Sequence, residues 1–198
     1  MMDPTSEDKA PGGVALLIID MINDLDFPGG PEMLPAVEAA TDAILKLRDA
    51  ATRLGVPTVY VNDNYGQWHS ERSRIVEYCS REESAAREIV QRIAPRHDDF
   101  FVIKPQFSGF YSTNLPVLLP TLGVNRLVLT GVAADICVLF TAADAHMRDY
   151  ALWVPEDTVA SLAEDRTAWS LDIMAKTMKA EIRPSGDLTL ADWVADAT

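Results

Sequence analysis

The chain predicts a three-layer α/β/α architecture of Rossmann-like type, built on a central, mostly parallel sheet of about six strands. Two observations carry that expectation. Short continuous apolar runs such as Val14–Ile19 (VALLII) alternate along the chain with longer segments whose apolar residues recur at helical spacing. A run without polar alternation is buried on both faces, which is the signature of a parallel sheet covered by helices on either side.

Composition narrows the class. At 198 residues, 48% of them hydrophobic, the chain can bury one substantial core, and a single domain is expected over residues 14–198. A mean hydropathy of +0.01 argues against a membrane protein. Against 17 Lys and Arg stand 30 Asp and Glu, a formal net charge of −13 with no basic patch, so nucleic acid is not an expected partner. The two cysteines, Cys79 and Cys137, cannot make a disulfide framework, and no charged-then-apolar leader precedes the first strand. A cytoplasmic location is the expectation.

Residues 1–13 mix Pro, Ser, Asp and Gly with little apolar content and read as a loosely held arm. Val14–Ile19 is then a central strand, closed by Asp20 at its C-terminal end, the sheet edge at which open α/β folds bind ligands. An acid there is either a functional group or the cap of the next helix. Met33, Val37, Ile44, Leu47, Ala51 and Leu54 give residues 31–55 a buried helical stripe that Gly55 ends. A second strand covers 56–61. The loop behind it, from Asn62 through Asn64, Tyr65 and Trp68 to His69, is rich in polar and aromatic groups, so it either walls a small-molecule pocket or covers the sheet edge.

Residues 71–92 are charged and helical in pattern with a break near Ser80, and Cys79 among them has no candidate base close in sequence. It reads as structural. A short strand over 100–103 ends at Lys104-Pro105, where the proline holds a lone cation in extended backbone. The polar and aromatic loop 106–114 leads into a helix, and 124–130 is the next strand. Gly131 turns the chain, Asp135 is a plausible N-cap, and a helix over 136–149 carries Cys137 in its first turn. Backbone N–H groups and the dipole at such a position favour a thiolate, although a buried cysteine on an apolar face is the competing description. Residues 151–154 and 180–182 read as two further strands flanking a helix over 163–178, with a last short helix at 190–195.

Asp20, Lys104 and Cys137 thus fall at the ends of three different predicted strands, an acid, a cation and a thiol that a parallel sheet can bring to one edge. Phe27, Asn64, Tyr65, Trp68, Phe107, Phe110 and Tyr111 are the candidates for a surrounding wall able to hold a compact group.

Three ordered segments carry a resemblance: LLIIDMINDL at 16–25, FFVIKPQFSGFYSTNL at 100–115 and LVLTGVAADICVLFTAADA at 127–145. Over residues 14–161 the chain resembles the isochorismatase-like hydrolases, a group that also holds nicotinamidases, N-carbamoylsarcosine amidohydrolases and ureidoacrylate hydrolases. The resemblance implies a catalytic triad of Asp20, Lys104 and Cys137: Cys137 attacks a carbonyl carbon, Asp20 moves the proton, and Lys104 stabilises the thiolate and keeps Asp20 ionised. It also implies oxyanion donors from the backbone of Ala133 and Cys137, with a cis peptide between Val132 and Ala133.

Two departures from the wider group are informative. Where the nicotinamidase branch places an Asp and two His around a metal, this chain has Asp63, Tyr65 and His69, so no metal and no cofactor are expected. Ether-cleaving relatives can dispense with the cysteine, whereas this chain retains Cys137. The expected function is therefore hydrolysis of a small amide, carbamoyl or ureido substrate through a covalent Cys137 intermediate. An isochorismate-type vinyl-ether hydrolase using Asp20 as acid, and a non-catalytic binding protein, are the alternatives. The partner expected is a small-molecule substrate, and the resemblance implies a homo-oligomer, a dimer or tetramer.

Overall fold

The structure, a computed structural model, describes residues 9–66 and 71–196. Its sheet is assembled from β1 (Val14–Ile19), β2 (Thr58–Asp63), β3 (Phe100–Lys104), β4 (Arg126–Val132), β5 (Ala151–Trp153) and β6 (Val159–Ala160). The order across the sheet is β3-β2-β1-β4-β5, with β6 pairing the far end of β4, and every pairing is parallel. The helices are α1 (Gly30–Leu54), α2 (Arg72–Cys79), α3 (Arg87–Ile93), α4 (Leu115–Thr121), α5 (Leu139–His146), α6 (Glu164–Met178) and α7 (Leu190–Ala195). Among the described residues no helix is long and apolar enough to cross a membrane.

Alternation along β1 explains the layering. All six of its residues are fully buried, yet Leu16 and Ile18 join one core with Ile44 and Leu47 of α1, while Ala15, Leu17 and Ile19 join another with Leu119 of α4, Ala142 of α5 and Met174 of α6. Side chains of a strand point alternately to opposite faces, so an unbroken apolar run fills two cores at once. Trp153 and Trp193, with ring centroids 5.9 Å apart, tie α7 to the first of them.

The 180–182 segment departs from the expected sixth strand. Only Glu181 bridges to Trp153, and the sixth strand is instead Val159–Ala160, which pairs with Gly131 and Val132. A two-residue strand is too short to leave a periodic signal. Of the arm expected over 1–13, residues 9–13 are described, and they are held: the Ala10 N–H donates to Leu122 O at 2.8 Å, and Pro11–Gly13 forms a 3₁₀ turn.

Parallel register decides which groups meet. Ile19 lies opposite Val61 on one side and Gly131 on the other, and Asp63 lies opposite Lys104. The C-terminal ends of β1, β2, β3 and β4 therefore share one edge of the sheet. Gly131 makes the β1–β4 contact possible, because a Cβ on it would sit 2.0 Å from Ile19 O, and its φ is +112°.

Candidate active site

Asp20 leaves β1 with a left-handed φ of 51°, which turns its side chain across the sheet edge while its N–H donates to Val61 O. One carboxylate oxygen accepts the Asp63 N–H at 2.7 Å, and the other lies 2.8 Å from Lys104 Nζ. Lys104 ends the edge strand β3 with its side chain fully buried. Its ammonium also reaches Gln106 O at 3.1 Å and Cys137 Sγ at 3.4 Å, so all three of its N–H donors point at named acceptors. The sheet edge thus brings together the acid, cation and thiol that the sequence placed on three separate strand ends.

The turn bearing Cys137 differs from the expected capped α-helix. Residues Ala134–Val138 form a π-helical turn ahead of α5, and Ala133 O accepts the N–H groups of both Ile136 and Val138. Asp135 is inside that turn and is not its cap. Its carboxylate accepts the Ser161 hydroxyl at 2.7 Å, its N–H donates back to Ser161 Oγ at 3.2 Å, and it pairs with Arg166 of α6. Val132 and Ala133 are joined by a cis peptide and border the same cavity as Cys137.

The thiolate expected from the helix N-terminus does not hold at rest. Burial pushes the Cys137 thiol well up, Asp20 raises it further, and Lys104 only partly opposes them. The thiol donates a hydrogen bond to the Asp20 carboxylate, which favours the protonated sulfur and the ionised acid together. Burial likewise raises Asp20 above the ordinary carboxylate range, against the pull of Lys104 and of that hydrogen bond. For Lys104, burial pulls down, but Asp20 and Cys137 more than offset it, and the ammonium is held above its ordinary value. These influences favour a protonated thiol beside an acid made more basic by burial, with a cation against both.

These groups open on a cavity of about 240 Å³, below the range of about 300–1,000 Å³ usual for drug-sized ligands. Phe27, Tyr65 and Phe107 line it, as the sequence suggested. Asn64 and Tyr111 do not. The Asn64 side chain accepts the Gly66 N–H at 2.9 Å within its own loop, and Tyr111 is 58% exposed outside the lining. Phe110 is core, 3% exposed and packed on Tyr150. Trp68 and His69 lie outside the described residues.

Sequence reasoning missed Asn23, Met33, Asp135, Ile136 and Leu162, which also border the cavity. It also missed Asn62, fully buried, whose carboxamide accepts the Ile22 N–H and donates to Ile22 O, fixing the loop after Asp20. Polarity at a strand position buried on both sides was the available signal for Asn62. Asp63 and Tyr65 make other contacts than the metal positions they match: an Asp63 oxygen accepts the Tyr65 N–H at 2.7 Å, and the Tyr65 hydroxyl donates to Ile22 O.

Comparison with known proteins adds independent findings. A profile of the isochorismatase domain matches residues 14–183. The chain is 40% identical to the uncharacterized isochorismatase family protein YaaI of Bacillus subtilis, over 85% of this chain and 92% of that protein. It is 27% identical to the N-carbamoylsarcosine amidase of an Arthrobacter species, over 79% of this chain but 63% of that enzyme, so it spans under two thirds of that relative's length. Among solved structures, the N-carbamoylsarcosine amidase from Thermoplasma acidophilum aligns with a TM-score of 0.66 and 28% identity, covering 89% of this chain and 98% of that one.

Proposed function

Since the chain belongs to the isochorismatase family, a family of hydrolases, we propose that it is a cysteine hydrolase acting on a small amide, carbamoyl or ureido compound. The observation that carries the reading is a single ammonium, Lys104 Nζ, lying 2.8 Å from Asp20 and 3.4 Å from Cys137 at the edge of a small, largely apolar cavity. The amidase relatives support the same reading.

In this mechanism the Cys137 proton passes to Asp20 as the sulfur attacks the carbonyl carbon, because a buried thiol held protonated cannot wait as a free thiolate. A carboxylate raised by burial is a stronger base than one in water, and Lys104 stabilises the charge that grows on sulfur. The carbonyl oxygen gains its negative charge towards the Ala133 and Cys137 amides. Asp20 then hands its proton to the departing nitrogen, leaving a thioester. Water, giving a proton to Asp20, attacks the thioester carbon; the sulfur leaves and recovers that proton, and the acid product departs. The reading asks for no metal, and the Tyr65 hydroxyl, which donates to Ile22 O, adds no ligand at the position where another branch carries histidine.

The test is a comparison of two variants on any amide found to release ammonia. Cys137→Ala and Asp20→Asn should each remove nearly all turnover, on the order of 10⁴-fold, with the double variant little worse, because groups that act as one unit are not additive. Acid quench should trap an acyl adduct on Cys137 visible by mass spectrometry. Near-normal turnover by Cys137→Ala alongside a dead Asp20→Asn would overturn the covalent Cys137 intermediate and leave Asp20 as the group that carries the hydrolysis.

A further inference from the structure

The charges around the cavity carry information about the substrate beyond the bond it presents. Among the described residues its polar lining consists of Asp20, Asn23, Asp63 and Asp135, and the remainder is apolar or aromatic. No lysine or arginine lines it, and none is hidden elsewhere, since every Lys and Arg of the chain lies among the described residues. The two cations that approach are both committed. Lys104 is fully buried with its three donors spent on Asp20, Gln106 and Cys137, and Arg166, reaching in from α6, is paired with Asp135. The third carboxylate, Asp63, is 3.9 Å from Lys104 and has no closer cation among the described residues.

Among the described residues, three carboxylates against two cations leave the cavity net negative. A substrate carboxylate entering it would lose water, find no free cationic donor and face Asp63 and Asp135. We propose that, given the hydrolytic reading above, this enzyme selects small amides that carry no negative charge and rejects carboxylate-bearing ones, with Asp63 and Asp135 as the specificity-determining groups. Asp135 is the sharper of the two, because its Arg166 partner makes it a charge-paired wall: remove the acid and a guanidinium is released beside the cavity. A cationic tail is admitted on the same grounds, since the part-exposed Asp63 carboxylate can accept from it while Asp135, buried on Ser161 and Arg166, adds only its charge.

The experiment uses three probes of matched length, pentanamide, γ-aminobutyramide and succinamate. Two readouts are taken on the full chain: protection of Cys137 from iodoacetamide, followed by peptide mass spectrometry, and ammonia release. Pentanamide and γ-aminobutyramide should protect at concentrations roughly tenfold or more below succinamate. Asp135→Asn, which frees Arg166, should narrow or reverse that gap, and Arg166→Gln, which leaves Asp135 unpaired, should widen it. Succinamate protecting as well as the others overturns the inference, as does a gap that neither variant moves. Protection by none of the three overturns it together with the cavity's assignment to small amides. Protection in the expected order without ammonia release leaves the charge selection standing and overturns the hydrolytic reading alone.

Discussion

At the residue scale the site is a problem of three mutually dependent protons. Lys104 sits beside two groups that burial pushes towards their neutral forms, and its charge opposes both shifts. Replacing it with methionine removes that opposition, so the Cys137 thiol should rise further and become harder to ionise. The alkylation rate of Cys137 at neutral pH should fall by about tenfold or more, and the rate-pH profile should move to higher pH. An unshifted profile would mean that the ammonium does not stabilise the sulfur. Because the three groups interact strongly, the profile reports the cluster and not any one member. Their positions were legible because Asp20 and Lys104 close strand-like apolar runs and Cys137 follows another through a short turn, so a parallel sheet carries all three to one edge. Their protonation was not legible. The N-terminal position of Cys137 suggested a thiolate, but neither the depth of burial nor the proximity of Asp20 is written in local sequence.

Among elements, the strand-to-turn junctions matter most. Gly131 brings β4 so close to β1 that Asp20 and Cys137 can face each other across it, and an added methyl group would collide with Ile19 backbone oxygen. Gly131→Ala should therefore destabilise the fold by about 3 kcal/mol or more, seen as a lower urea midpoint, because both the contact and the positive φ resist a side chain. Gly186→Ala, with nothing within 4 Å of the added atom, should leave the midpoint near wild type. A Gly131→Ala protein as stable as Gly186→Ala would show that the two strands can part at little cost. Element type was well marked in the sequence where runs were long: the stripe of α1 predicted a helix over 31–55, and the helix is Gly30–Leu54. It failed where elements were short or irregular. Asp135 looks like a cap because Asp before an apolar segment commonly is one; its real partners, Ser161 and Arg166, lie 26 and more residues away, beyond any local pattern.

For the whole molecule, stability at alkaline pH rests on groups outside the Asp20, Lys104 and Cys137 cluster. Cys79 is fully buried on Ile22 O, and burial pushes its thiol from 9.0 to about 12. Tyr60, buried with its hydroxyl on Ile93 O and Arg48, is pushed from 10.0 to about 12, again mainly by burial. In both cases the folded value lies above the unfolded one, so the unfolded chain loses its proton first as pH rises. Stability is therefore full below pH 9 and lost from about pH 9 to 12, at about 1.4 kcal/mol per pH unit for each group once its unfolded form has ionised. Lys104, held above its ordinary value, shifts in the same direction, so its ammonium remains in place over the range where the fold begins to fail. The activity of the folded protein should accordingly stay level from neutral pH until unfolding removes it. Inactivation above pH 9 should coincide with a falling Tm and with loss of near-ultraviolet circular dichroism. Cys79→Ala should make Tm fall less steeply with pH, even though it starts lower because of the cavity it leaves. A reversible decline in kcat/KM at pH 9 to 10 with Tm unchanged would place the alkaline limit in the Asp20, Lys104 and Cys137 cluster, and would mean that Lys104 or Cys137 ionises where its surroundings should prevent it.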